Sequence, residues 1–466
     1  MTNVEARMTK ILLLHPAFQC KTLPTGPMNP PLPLHDAAAK PVQDPRDKIM
    51  WTQPKQDVKG SAMKRKLWIL LILILSALAM TMVRQRGKLE KAYYWVQLRR
   101  LNKQVLALEE AGQNTRCARQ ILTEADWLLD STRDFGRTAG RLEALRSILK
   151  NPSSLNAPDE QSETDGSWGR GYTEWFFKLD ASFDEISALS DKNQAPRYPC
   201  RFLDRINSPE KLTAHLNRLL ISDLDADGID HGREFNETVA DLLRLVLHRE
   251  PENYAFHPHL KEAFLDFLMN KARNPETGYW GEWYKTGDRI TKTDQLSITF
   301  HIISYLKGAI SDWTKVIDTT LAIKDKRYPN GWLSRQGYSN HHNMDVVVLF
   351  RYGWKHSTPL QQEAIRTELH KMLDWCLKES LQPDGSFRLV ESRTDSLEDS
   401  IYFGTAFLAR IGYFDPARRF WTDEEFPGAS EAKQRIIQFI RAHLGSGGEG
   451  GTYYRDALAE LGESAP

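Results

Sequence analysis

Three short turns set 53 and 54 residues apart constrain this chain more than any other feature. Pro275-Glu276-Thr277-Gly278-Tyr279-Trp280, Pro329-Asn330-Gly331-Trp332 and Pro383-Asp384-Gly385-Ser386-Phe387 each place a glycine after a proline and before an aromatic residue. The spacing matches two helices plus their two connections. Each period is therefore one helical hairpin, which buries its apolar face only against neighbouring hairpins. In each turn the proline ends the incoming helix, the glycine supplies a positive φ, and the aromatic wedges beneath the next hairpin.

Between the turns, apolar residues recur at helical spacing and no convincing run of strand alternation appears. The pattern predicts helices over 209–221, 234–248, 257–272, 292–310, 342–353, 359–379, 398–411 and 429–443. The fold class is all-α. The main domain spans 172–445, preceded by a Ser/Asp/Pro/Gly-rich linker over 151–171 and a helical stalk or docking hairpin over 87–150. Residues 446–466 read as a flexible tail.

Leu381-Gln382-Pro383-Asp384-Gly385-Ser386-Phe387 resembles the glutamine-to-tryptophan turn of squalene cyclases and prenyltransferases. The 209–443 stretch is similar to the α/α toroid those proteins share with many polysaccharide lyases and glycosidases. The resemblance implies a toroid of helical hairpins; resting on turn motifs, it implies architecture more than chemistry. The Asp-rich initiation motif of terpene cyclases is missing, which disfavours that activity.

From Leu67 to Val83 run 17 residues without a charge, preceded by Lys64-Arg65-Lys66 and followed by Arg84, Arg86 and Lys88. Such a helix covers about 26 Å, close to a hydrocarbon core. Read from Met63, it is also a signal peptide with Ala77-Leu78-Ala79 as its cleavage site. The expectation for 63–86 is a single signal-anchor or transmembrane helix, with the bulk outside the cytoplasm: periplasmic if Gram-negative, or secreted after cleavage at Ala79. The first 62 residues, holding nine of the 23 prolines, read as disordered or as a mis-assigned extension.

With 62 Lys+Arg against 61 Asp+Glu, the chain has no polyanion-binding charge, so nucleic acid is not an expected partner. No Gly-rich phosphate loop follows a strand. The four cysteines are scattered without metal spacing and read as four free buried thiols, with a Cys117–Cys200 bridge as the alternative in an exported chain. One segment does fit a cation: Asp223, Asp225, Asp227, Gly228, Ile229 and Glu234 follow the D-x-D-x-D-G-x5-E pattern of a calcium loop between two helices. The same acids equally serve as caps of the following helix. Any calcium held there is structural.

Polar residues crowd the start of a helix at Asn340, His341 and Asp345. Asp294 and His301 share a face of the preceding hairpin, and Glu391, Arg393, Asp395, Glu398, Asp399 and Tyr402 begin the following one. By resemblance to alginate-lyase-type polysaccharide lyases, Asn340 and His341 neutralise a uronate or abstract its proton, Tyr402 is the acid/base and Arg393 holds a carboxylate. Alternatively Asp345 with Glu398 or Asp399 forms the acid and base of a glycoside hydrolase. Trp280, Trp283, Trp332, His301 and Arg351 are candidate substrate contacts. Against both stands a non-catalytic envelope protein in which these tryptophans are core wedges and the acids are caps.

Overall fold

The computed structural model describes residues 58–151, 155, 159–389, 396–444 and 452–464. The expected 1–62 extension lies outside them except for its last residues. The chain divides into two units after Leu73. In the first, the described residues are helical and Trp68 to Leu73 are exposed. That helix, α1, runs Val58–Glu110. The expected 63–86 segment is therefore not a separate element. Among the described residues, no helix is long and apolar enough to cross a membrane.

In the second unit, α1 packs with α2 (Arg116–Trp127) and α3 (Phe135–Lys150) around their own apolar cluster of Leu98, Leu101, Val105, Ile121, Leu122, Leu142 and Leu145. Residues 159–171 of the expected linker are pinned rather than loose. The Trp168 amide donates to Ser182 Oγ at 2.9 Å, and the Gln161 amide group donates to the Gly166 and Tyr198 carbonyls.

The remaining helices fall into two series. α4 (Trp175–Asp191), α6 (Gly232–His248), α8 (Leu296–Tyr305), α10 (Asn340–Gly353), α12 (Leu397–Arg410) and α14 (Thr452–Glu460) pack in succession, each on the next. α5 (Pro209–Leu220), α7 (Leu260–Asp266, continued by a wider turn to Ala272), α9 (Trp313–Ala322), α11 (Pro359–Trp375, likewise continued to Ser380) and α13 (Ala429–Leu444) back them. The starts are chemically specified. Ser208 accepts from the Lys211 amide ahead of α5, and Thr358 and Ser396 form capping boxes with Gln361 and Asp399. The protein is predominantly helical. One small sheet departs from the all-α expectation: β1 (Ile221–Ser222) lies parallel to β2 (Trp283–Thr286), which pairs antiparallel with β3 (Arg289–Lys292).

The three turns connect a backing helix to the next helix of the first series, and Trp280, Trp332 and Phe387 are buried as wedges. Gly278 and Gly385 have the expected positive φ. Gly331 does not. It is glycine because a Cβ there would sit 2.4 Å from the Lys326 carbonyl carbon. Within the expected flexible tail, Thr452–Glu460 instead form helix α14, with Tyr454, Ala457, Leu458 and Leu461 buried.

Candidate functional site

Helix α6 carries Arg233, Glu237, Asp241 and Arg244 at intervals of four, four and three, one continuous polar stripe opposite a leucine-rich face. Opposite it, α4 presents Asp180 and Asp184. Arg244 Nη2 lies 3.1 Å from Asp180 Oδ1 and also pairs with Asp241, while its guanidinium covers the Phe183 ring at 3.9 Å and the Tyr305 ring at 5.7 Å. From α12, Arg410 donates to Glu460 of α14 at 2.6 Å and lies 3.5 Å from the Tyr402 hydroxyl, whose ring packs on Tyr453. Charges from α4, α6 and α14 reach one another: Asp184 feels Asp180, Arg244 and Asp456, and Tyr453 feels Asp180 and Asp184.

Tyr453 is 41% exposed, yet burial drives its phenol well above its ordinary range. The Asp184 carboxyl, partly exposed, is pushed up to about 7, by desolvation first and by the Asp180 charge second. Desolvation likewise pushes Tyr402 up to about 12 and raises Glu237. Asp180, Asp184, Arg244, Tyr305, Arg410 and Tyr453 escape a reading of the sequence because two of their helices, α4 and α14, show no turn motif. The polar stripe of α6 was the available signal.

A second group adjoins it. His301 Nδ1 is 2.9 Å from Asn236 Oδ1, and Asn236 Nδ2 donates to Ser297 Oγ at 2.7 Å. The Tyr328 hydroxyl donates to Asp345 Oδ2 at 3.3 Å, and its ring stacks on His342 at 3.8 Å. His341 stacks on Phe403 at 4.0 Å. Burial pushes His301 down to about 3 and His341 to about 4, so both imidazoles are neutral at pH 7. The fully buried Asp345 carboxyl is raised well above its ordinary value by desolvation, and its Oδ1 has no partner.

Of the residues singled out in the sequence, His301, His341, Tyr402 and Asp345 thus belong to these groups. Asn340 turns away, donating to Ser380 Oγ at 2.9 Å at the end of the backing helix α11. Asp399 caps α12, exchanging hydrogen bonds of 3.1 and 3.0 Å with Ser396. Trp280 donates to the Leu268 carbonyl and Trp332 packs edge-on to Phe350; both are fully buried core residues. Trp283 lies on β2 beneath the Lys292 ammonium, and Arg351 donates to the Arg410 carbonyl from an exposed position. Arg393, with Glu391 and Asp395, lies outside the described residues.

The D-x-D-x-D-G loop occupies the α5–α6 connection, where later hairpins carry their glycine turns. Its acids are engaged by the chain's own groups. Asp223 pairs with Lys285 at 2.8 Å, Glu234 with Arg218 at 2.8 Å, and Asp227 accepts from the Ile229 amide at 2.9 Å; Asp225 is exposed. Among the described residues, no three His, Cys, Asp or Glu side chains are placed to hold a metal. Cys117, Cys200 and Cys376 are free thiols, so the Cys117–Cys200 alternative does not form. Comparison of the chain with protein-family models, with characterised proteins and with solved structures finds no match.

Proposed function

We propose that α4, α6, α8, α10, α12 and α14 are the inner helices of an α/α toroid whose hollow hydrolyses an extracytoplasmic glycan. Successive packing of the six helices and the electrical contact between the first and last of them support the ring. The chemistry rests on the Asp184 carboxyl, which desolvation and the neighbouring Asp180 charge push up to about 7, the range a general acid requires. It protonates the glycosidic oxygen as the bond to the anomeric carbon breaks. Asp180, oriented by Arg244, takes the proton of the attacking water. Tyr305, Tyr402 and Tyr453 offer ring faces to the sugars.

The Tyr402 hydroxyl beside Arg410 favours a second reading, a lyase in which Arg410 neutralises a uronate and Tyr402 moves the proton. Incubating the purified chain with neutral and uronate polysaccharides separates these readings. New reducing ends without ultraviolet absorbance, lost in Asp184→Asn, support hydrolysis. Reducing ends with the absorbance of an unsaturated uronate overturn it in favour of the lyase. Glycan binding without any cleavage leaves an envelope-binding protein.

The same proposal puts the toroid outside the cytoplasm, tethered through Leu67–Val83 or released after Ala79. The exposed apolar side chains of α1, among them Trp68 at 66% and Leu75 at 57%, support it. Mass spectrometry of the mature N-terminus distinguishes tether from release.

A further inference from the structure

Two carboxyl groups share one hydroxyl where the α5–α6 loop meets β2. The Tyr284 hydroxyl oxygen lies 2.9 Å from Glu282 Oε1, and 3.1 and 3.2 Å from Asp230 Oδ2 and Oδ1. A phenol has one proton to give, and desolvation first, then the Glu282 and Asp230 charges, keep that proton on the oxygen. With both carboxyls ionised, one of them faces a phenol lone pair. One further proton removes the conflict: a protonated carboxyl donates to the phenol oxygen, and the phenol donates to the other carboxylate.

Burial decides which carboxyl holds it. Glu282 is 3% exposed, and its Oε2 accepts from Gln295 Nε2. Gly232, the first residue of α6, is packed so closely on it that a Cβ there would lie 2.8 Å from Glu282 Cδ. Asp230 is partly exposed, and its Oδ1 also accepts from the Gly232 amide at 3.0 Å, so the negative charge costs less there. Desolvation raises the Glu282 carboxyl above its ordinary value, and the Asp230 charge adds to it. The other charged groups of the surrounding elements face elsewhere. Lys285 of β2 pairs with Asp223, Lys292 of β3 lies over Trp283, and Asp288 and Arg289 are exposed. Arg218 of α5 and His231 both engage Glu234, Arg233 pairs with Glu237, and Asp294 ahead of α8 accepts from Thr277.

We propose that Glu282 carries a proton and, through Tyr284, fastens Asp230 and the α5–α6 loop to β2, so that ionisation of Glu282 releases the loop. The device is a pH-operated catch, and it does not depend on the glycan reading. The Asp230 amide donates to the Ser131 carbonyl at 2.8 Å, so the same loop also holds the connection between α2 and α3. The folded-state value of Glu282 lies above the unfolded one. The catch is therefore fully closed below the ordinary glutamate value of about 4.3 and opens as pH rises through the raised value.

The test is hydrogen exchange of the full chain, read by mass spectrometry over residues 223–232 from about pH 5 to about pH 9 and corrected for intrinsic rates. In the wild type, protection should fall by up to about tenfold per pH unit above the Glu282 value. Glu282→Gln, whose amide donates to Tyr284 as the protonated acid does, should keep its protection throughout. Tyr284→Phe should show weak protection at every pH. Circular dichroism checks that each variant is folded. Protection independent of pH in the wild type, or the same decline in Glu282→Gln, overturns the proposal. If Glu282→Gln does not fold, Tyr284→Phe decides: protection equal to wild type at the acid end, or an unchanged pH dependence, overturns the catch.

Discussion

Arg116 Nη1 of α2 lies 2.5 Å from Glu185 Oε1 of α4, joining the N-terminal helical hairpin to the first helix of the proposed ring. Asp159 adds a second carboxylate 3.7 Å from the same guanidinium. Around the other side, burial pushes Glu398 at the start of α12 up to about 7, with Glu109 of α1 and Asp399 as the next causes. The segment read from the sequence as a stalk or docking hairpin is therefore joined to the second half of α4 and lies within electrostatic reach of the start of α12.

Arg116→Ala should cost about 1–2 kcal/mol, the lower range for a charged hydrogen bond, because both partners are about a quarter exposed. A double-mutant cycle with Glu185→Gln in urea measures the coupling. A coupling near zero means that the hairpin is held by apolar contacts alone.

Asp184→Asn is expected to abolish turnover while leaving glycan affinity within a few fold. In the wild type, activity should fall as pH rises through about 7, where the general acid loses its proton. The stability consequence has a definite sign. The folded-state value lies above the unfolded one, so between about pH 4 and 7 the native state binds the extra proton, and stability declines as pH rises through that window. The asparagine variant lacks this decline, so it should gain melting temperature relative to wild type above pH 7 and lose the advantage towards pH 4.

Ending the chain after residue 451 should cost at least about 3 kcal/mol, from unburying Leu458 and Leu461 alone. Urea unfolding measures it; an unchanged midpoint would mean that α14 contributes nothing to the ring.

Gly385→Ala should be far more damaging than Gly228→Ala. Both glycines have positive φ, which costs alanine about 1–2 kcal/mol. At Gly385 the new Cβ also meets the Arg435 carbonyl oxygen at 2.3 Å, whereas at Gly228 it meets open space. Comparing the two melting temperatures separates backbone strain from collision.

Calcium at the α5–α6 loop must displace Lys285 from Asp223 and Arg218 from Glu234. Millimolar calcium is therefore expected to leave the melting temperature unchanged in the wild type. A rise of several degrees, reversed by chelator, would establish the ion.

The periodic elements were legible: the segments read as 209–221, 359–379 and 429–443 fold as Pro209–Leu220, Pro359–Ser380 and Ala429–Leu444. Apolar spacing and caps are local properties, so they can be read without neighbours. α4, α9 and α14 were missed; Trp175-Phe176-Phe177 opens the first with an unbroken apolar run and glycines crowd the approach to the last. The candidate site was legible in part. His301, His341, Asp345 and Tyr402 stood out as polar residues on apolar helices, but Asn340 carries the same signature and faces Ser380.

By itself the sequence determined most of the helices and their hairpin period, because each depends on residues within a turn or two of one another. Only the tertiary structure decided which polar residues share a wall. Rotating a helix by one residue moves a side chain about 100° around its axis, and only packing against both neighbours sets that angle. Asp184 comes within electrostatic reach of both Arg244 and Tyr453, 60 and 269 residues further along the chain, only through the packing of the helices that carry them.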